Sequence, residues 1–229
     1  MSFRLFALFL LMPLLFACTA HGAAPEGAYL RSEFSGGSLS NVIYVFRDGR
    51  VAYAARGDLE AFDFDAHAEA TPKNSGRYVR NGDTLRITWG DGSVQESALR
   101  PDSSGGGFQF HGAPFAPIVR ITDPARLRGR YYGGASYGGV SSAFDLHFDG
   151  QGGFRSGMTG SITSSGQSGE TSALSANESS GRYELFGARL RLTAGTDSKQ
   201  HWAYEVPTST PAVVSLLILD GVVMTHDGG

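Results

Sequence analysis

The sequence predicts an all-β fold made of two related antiparallel β-barrel or β-sandwich lobes that arose by internal duplication. Three observations predict it. Apolar residues alternate with polar ones along the chain, as Phe144, Leu146 and Phe148 do with Asp145, His147 and Asp149; this is the period of a strand with one buried face. Dipeptides such as Asp48-Gly49, Asn81-Gly82 and Asp91-Gly92 punctuate these runs, and such residues tolerate the positive φ of a tight hairpin. The third observation is self-similarity. Ser75-Gly-Arg-Tyr78, Gly82, Leu85-Arg86, Thr88, Gly90 and Ser93 align without gaps with Ser180-Gly-Arg-Tyr183, Gly187, Leu190-Arg191, Thr193, Gly195 and Ser198. That is 10 identities in 19 positions, where ordinary composition gives roughly one or two.

In chain order, residues 1–17 read as an export signal, with Arg4 ahead of the apolar run Leu5–Ala17. The run is 13 residues long and contains Pro13, whereas a bilayer-spanning helix needs about 20 apolar residues. Leu15-Phe16-Ala17-Cys18 resembles the bacterial lipobox. The resemblance implies that Cys18, the sole cysteine, becomes the acylated (palmitate-bearing) N-terminus of the mature chain. Two or more acyl chains hold a protein durably on a membrane where one does not. Thr19 stands where, in such lipoproteins, Asp causes retention in the inner membrane, so the expected location is the outer membrane, facing the periplasm. The alternative is an ordinary signal cut after Ala20 or Ala23, which would leave a free thiol in an oxidising compartment.

Residues 18–26 then form a short tether, 27–118 the first β lobe, 119–126 a linker around Ile121-Thr-Asp-Pro-Ala125, and 127–229 the second lobe. Gly27-Ala-Tyr29 matches Gly129-Arg-Tyr131, and Phe108-Gln-Phe110 parallels Leu217-Ile-Leu219 in the same order. One segment departs from strand pattern. Residues 58–70 favour a short helix capped by Asp58, against a strand that would set Asp63, Asp65, His67 and Glu69 on one face. In the second lobe the Ser/Gly-rich stretch 157–180 takes that place and reads as a long loop.

The repeated Gly-x-Tyr, Phe-x-x-Asp-Gly, Ser-Gly-Arg-Tyr and Leu-x-Ile/Leu-Thr pattern resembles small secreted bacterial lipocalin-like proteins of unassigned function. Its motifs are turn and core motifs and specify fold rather than activity. Ser-Gly-Arg-Tyr also resembles the Ser-Gly-x-x-Tyr loop of bacterial periplasmic lysozyme inhibitors, with one residue fewer between Gly and Tyr. Because Arg77 and Arg182 occupy equivalent places in the two copies, the structural role is the stronger reading.

Composition narrows the function. Net charge is −3 and no basic stripe is present, so no nucleic-acid partner is expected. No Gly-x-Ser-x-Gly elbow stands at a strand–helix junction and the chain lacks α/β alternation, so a nucleophilic hydrolase is not supported, and no cofactor is expected. Asp63, Asp65, His67 and Glu69 are the densest group of metal-ligand types, though a charged face is the plainer reading. Asp145 and His147, with Arg155 across a hairpin, form a polar strand face that meets solvent by default or else lines a cavity, and Tyr137 in the loop 133–139 could meet a ligand, though a hairpin tip is the plainer reading.

The expectation is a membrane-tethered, non-catalytic envelope lipoprotein that binds a small ligand or another envelope protein. The alternatives are a periplasmic inhibitor or immunity protein acting on a cell-wall-degrading enzyme through loop 133–139 or 157–180, and a metal-dependent hydrolase centred on 63–69. A cavity on the order of several hundred Å3 with mixed lining would favour the small ligand. A filled barrel with a protruding loop would favour the inhibitor, and convergence of His67 with Asp63 and a second-lobe histidine would favour the enzyme.

Overall fold

The structure is a computed structural model. It describes residues 23–35, 38–102, 106–137, 140–166, 169–208 and 212–228, and side chains outside 34–39, 135–142 and 158–177. Cys18 and residues 1–17, expected to be an export signal, lie outside the described residues.

The first half runs β1 (Gly27–Ser35), β2 (Ser38–Arg47), β3 (Arg50–Tyr53), α1 (Phe64–Ala70), β4 (Ser75–Asn81), β5 (Thr84–Trp89), β6 (Val94–Ala98), β7 (Arg100–Pro101), β8 (Phe108–Phe110) and β9 (Ala113–Arg120). Successive strands pair antiparallel and β9 returns to β1. β6 and β7 flank the buried Leu99 and serve as one broken strand, so the first half closes on itself. The second half runs β10 (Arg128–Tyr137), β11 (Val140–Asp149), β12 (Gly153–Gly166), β13 (Gly169–Phe186), β14 (Arg189–Ala194), β15 (Asp197–Val206), β16 (Leu216–Leu219) and β17 (Val222–His226). Here too each strand pairs with the next, and β17 closes onto β10. Closure removes the open edges that exposed strands would otherwise offer to other chains.

The duplication is visible in the registers. Tyr29 faces Tyr44 across β1–β2, and Tyr131 faces Leu146 across β10–β11. Arg31 faces Phe115, and Gly133 faces Met224. The Ser-Gly-Arg-Tyr copies do the same work twice. A Cβ on Gly76 would lie 2.7 Å from the Thr88 carbonyl oxygen, and one on Gly181 only 1.9 Å from that of Thr193, so only glycine lets β4 and β13 approach the next strand. The tyrosines then tie the strand to the segment entering the barrel: Tyr78 Oη donates to Pro25 O at 2.8 Å and Tyr183 Oη to Leu127 O at 3.1 Å. Gly181→Ala is therefore expected to lose about 1–3 kcal/mol of stability by overpacking, read as a lowered urea midpoint at unchanged slope.

Three packed groups hold the molecule. Tyr29, Phe46, Tyr78, Phe108 and Phe115 lead the group inside the first barrel, and Tyr131, Phe148, Tyr183 and Leu217 lead that inside the second. The third lies between the barrels. Outward residues Leu30, Ile43, Val45 and Ala52 of the first barrel meet Tyr204, Val206 and Ile218 of the second. At this seam β9 pairs with β15 through Val119↔Glu205 and Arg120↔Tyr204. Tyr204 Oη accepts the Leu59 N–H at 2.8 Å, and burial pushes its hydroxyl up to about 12. The stretch expected as a linker is thus packed: Ile121 is buried with the second core, and the Arg126 guanidinium bonds the buried Glu205 carboxylate at 2.7 Å.

Three local expectations are corrected. The helix begins at Phe64 and its cap is Asp63, whose Oδ1 accepts the N–H groups of Asp65 and Ala66. Asp58 instead closes a turn onto Glu60 and Ala61, because Leu59 and Phe62 are drawn into the gap between the barrels. The stretch 157–180, in its described residues, is no loop. It lies in the β12–β13 hairpin, paired from Gly153↔Arg182 to Gly166↔Gly169. The backbone ladder carried on from β11 needs no apolar side chains, so Ser, Thr and Gly sustain it. Likewise 133–137 belongs to β10, with Tyr137 in register with Val140; its side chain lies outside the described ones.

Candidate functional site

Equivalent inward positions of the two barrels carry different side chains, and the difference makes the site. In the first barrel Tyr44, Tyr53, Trp89, Phe110 and Phe115 fill the interior, with ring centroids 5.0 Å apart for Tyr44 and Phe115, 5.3 Å for Tyr44 and Tyr53, and 6.3 Å for Tyr53 and Trp89. Arg31 closes the top, its guanidinium 6.0 Å from the Phe115 ring and 3.0 Å from Glu33. The registers place Leu146, Ser156, Ala194, Leu219 and Met224 at the corresponding five positions of the second barrel, and Gly133 in place of Arg31. Large rings are replaced by smaller groups around one space. The result is a cavity of about 510 Å3 lined by those five residues together with Phe144, Phe154 and Leu192. That volume falls within the ~300–1,000 Å3 of small-molecule sites.

β15 supplies the polar wall. Its alternate residues Trp202, Tyr204 and Val206 face the first barrel, leaving Lys199, His201 and Ala203 to the interior of the second. His201 Nδ1 lies 2.8 Å from Asp220 Oδ2, and Asp220 Oδ1 accepts the Trp202 N–H at 2.8 Å. The carboxylate thus fixes the imidazole through Nδ1 and leaves Nε2 for the cavity. Asp220 occupies the hairpin turn at φ 49° beside Gly221, a conformation that Asp tolerates. On the opposite wall Ser156 Oγ and Ser179 Oγ are 2.6 Å apart.

The residues named from the sequence are brought together elsewhere. Arg130, His147 and Arg155 form one row across β10, β11 and β12, with Asp145 one step along. They line a groove of about 790 Å3 on the outer face of the sheet. Arg130 Nε donates to Asp145 at 2.9 Å, and that carboxylate holds the guanidinium well above its usual range. The registers equate these residues with Ala28, Val45, Ala52 and Ile43, the very positions that the first barrel buries against the second. The row therefore marks the solvated counterpart of an interface, not a polar interior. Its volume exceeds that of the cavity, but an exposed charged face lacks the apolar enclosure of a small-molecule site.

The acidic group on α1 is dispersed. Asp63 caps the helix, Asp65 pairs with Arg50 at 3.0 Å, His67 lies against Phe62 and Thr71, and Glu69 is exposed. Residues two apart on a helix point about 200° from each other. Among the described residues no three His, Cys, Asp or Glu side chains gather to hold a metal ion.

Sequence reading missed Leu146, Ser156, Ala194, Lys199, His201 and Asp220. A signal was present: Trp89 against Ala194 is a large-to-small mismatch inside the best-matched stretch of the duplication. Fold and site together define a double antiparallel β-barrel with one filled and one hollow interior. No protein-family model, curated protein or solved structure matches the chain.

Proposed function

We propose that the chain is a lipid-anchored protein of the bacterial envelope whose second barrel binds a small, largely apolar ligand without transforming it. One observation carries this reading: five aromatic positions that fill the first barrel are trimmed in the second, around a cavity of about 510 Å3. A packed interior loses contact energy for every void it keeps, so a barrel hollowed at equivalent positions is one that another molecule fills. The first barrel then serves as the rigid body between anchor and site. Lipobox resemblance and the single cysteine support the anchor.

The uncharged fluorophore N-phenyl-1-naphthylamine tests the reading. The soluble chain starting at residue 19 is expected to bind one equivalent with micromolar affinity, about −8 kcal/mol, and with a blue-shifted, enhanced emission. Emission unchanged from that in buffer would refute the cavity as a ligand site. In cells, labelled palmitate is expected to enter the wild-type chain and not Cys18→Ser; equal labelling of both would remove the anchor.

A further inference from the structure

We infer that the ligand is amphipathic, with an anionic end seated against Lys199 on β15. The inference rests on the cavity reading above. Apart from Ser156 and Ser179, whose hydroxyls bond each other on the opposite wall, the apolar lining and the basic side chains are segregated. Phe144, Leu146, Phe154, Leu192 and Met224 come from β11, β12, β14 and β17, and they offer only hydrocarbon and thioether surface. The interior face of β15 offers Lys199 and His201 on successive inward positions, with Ala203 buried below them. A molecule lying in this space has its apolar body fixed by the first set and its polar end by the second.

Charge decides which polar end. Three of the four carboxylates around the mouth are already committed or turned away. Asp220 is held by His201 and by the Trp202 N–H, Asp145 by Arg130, and Glu178 stands in the outward row opposite Gly157. The fourth, Asp197, lines the mouth one inward position beyond Lys199, exposed at the outer end of β15. The Lys199 ammonium has no hydrogen bond or ion pair among the described residues, and its long stem lets the charge reach over the apolar wall. A cationic end entering past Asp197 would meet this ammonium. A neutral end would leave it unpaired. An anionic end gains a charge-assisted bond to it.

The test is displacement of N-phenyl-1-naphthylamine by three probes sharing a dodecyl chain: dodecanoate, dodecanol and dodecyltrimethylammonium. Dodecanoate is expected to displace at about tenfold lower concentration than dodecanol, which is about 1.4 kcal/mol, with dodecyltrimethylammonium weakest. Lys199→Met, a substitution at an exposed mouth position, is expected to erase the advantage of dodecanoate over dodecanol. Dodecyltrimethylammonium displacing best, or an unchanged preference in Lys199→Met, overturns the inference while leaving the cavity reading intact. Failure of the naphthylamine itself to bind overturns both.

Discussion

Ala194→Trp is expected to abolish ligand binding while leaving the protein folded. The substitution installs in the second barrel the residue that the first carries at the same register position, Trp89, which is 8% exposed there and packs against Tyr53 at 6.3 Å. In the first barrel an indole at this position belongs to a filled interior; in the second it would enter the cavity bounded by Leu146, Ser156 and Met224. Binding of N-phenyl-1-naphthylamine should weaken by about a hundredfold, or about 2.7 kcal/mol. The urea midpoint should not fall, because the indole occupies space already empty and buries apolar surface worth about 25 cal/mol per Å2. A variant that binds as tightly as wild type would place the ligand elsewhere.

The largest expected loss of stability comes from Arg126→Met. Glu205 is 3% exposed and belongs to the seam strand β15, where Val119 of β9 faces it across the ladder. Its carboxylate is held by the Arg126 guanidinium. Removing the cation strands a buried negative charge, which costs about 3–5 kcal/mol. Arg126→Met combined with Glu205→Leu should recover much of that loss, since the penalty arises from the uncompensated charge rather than from a lost attraction. Urea unfolding of the two variants makes the comparison. A loss below about 1 kcal/mol in Arg126→Met would show that water reaches the pair.

The all-β architecture and its duplication were legible because they rest on local chemistry. Period-2 alternation at 144–149 and the turn at Asp48-Gly49, both residues with positive φ, are written in neighbouring residues. The barrels' closure is what such a meander does when no edge is left exposed. The cavity was not legible in that way. Leu146, Ser156 and Ala194 sit in the same strand pattern as their bulky counterparts, and only the space between strands distant in sequence tells them apart. Composition misled at 157–180, where Ser and Gly read as loop although the ladder continues through them. At Asp145, His147 and Arg155 alternation marked a polar face and left open whether it met solvent or a cavity. That the face lies outside the second barrel, at places whose equivalents Ile43, Val45 and Ala52 meet a neighbouring barrel, emerges from the packing.

The central claim is that the interior of the second barrel, and not the outer groove or the first barrel, is the ligand site. Isotope-edited NMR of the soluble chain titrated with N-phenyl-1-naphthylamine tests it directly. The account predicts shifted methyl resonances at Leu146, Leu192, Ala194 and Met224, with Leu85 and Ile87 of the first barrel unmoved. Shifts confined to the backbone amides of Arg130, His147 and Arg155, or to the first barrel, would contradict it.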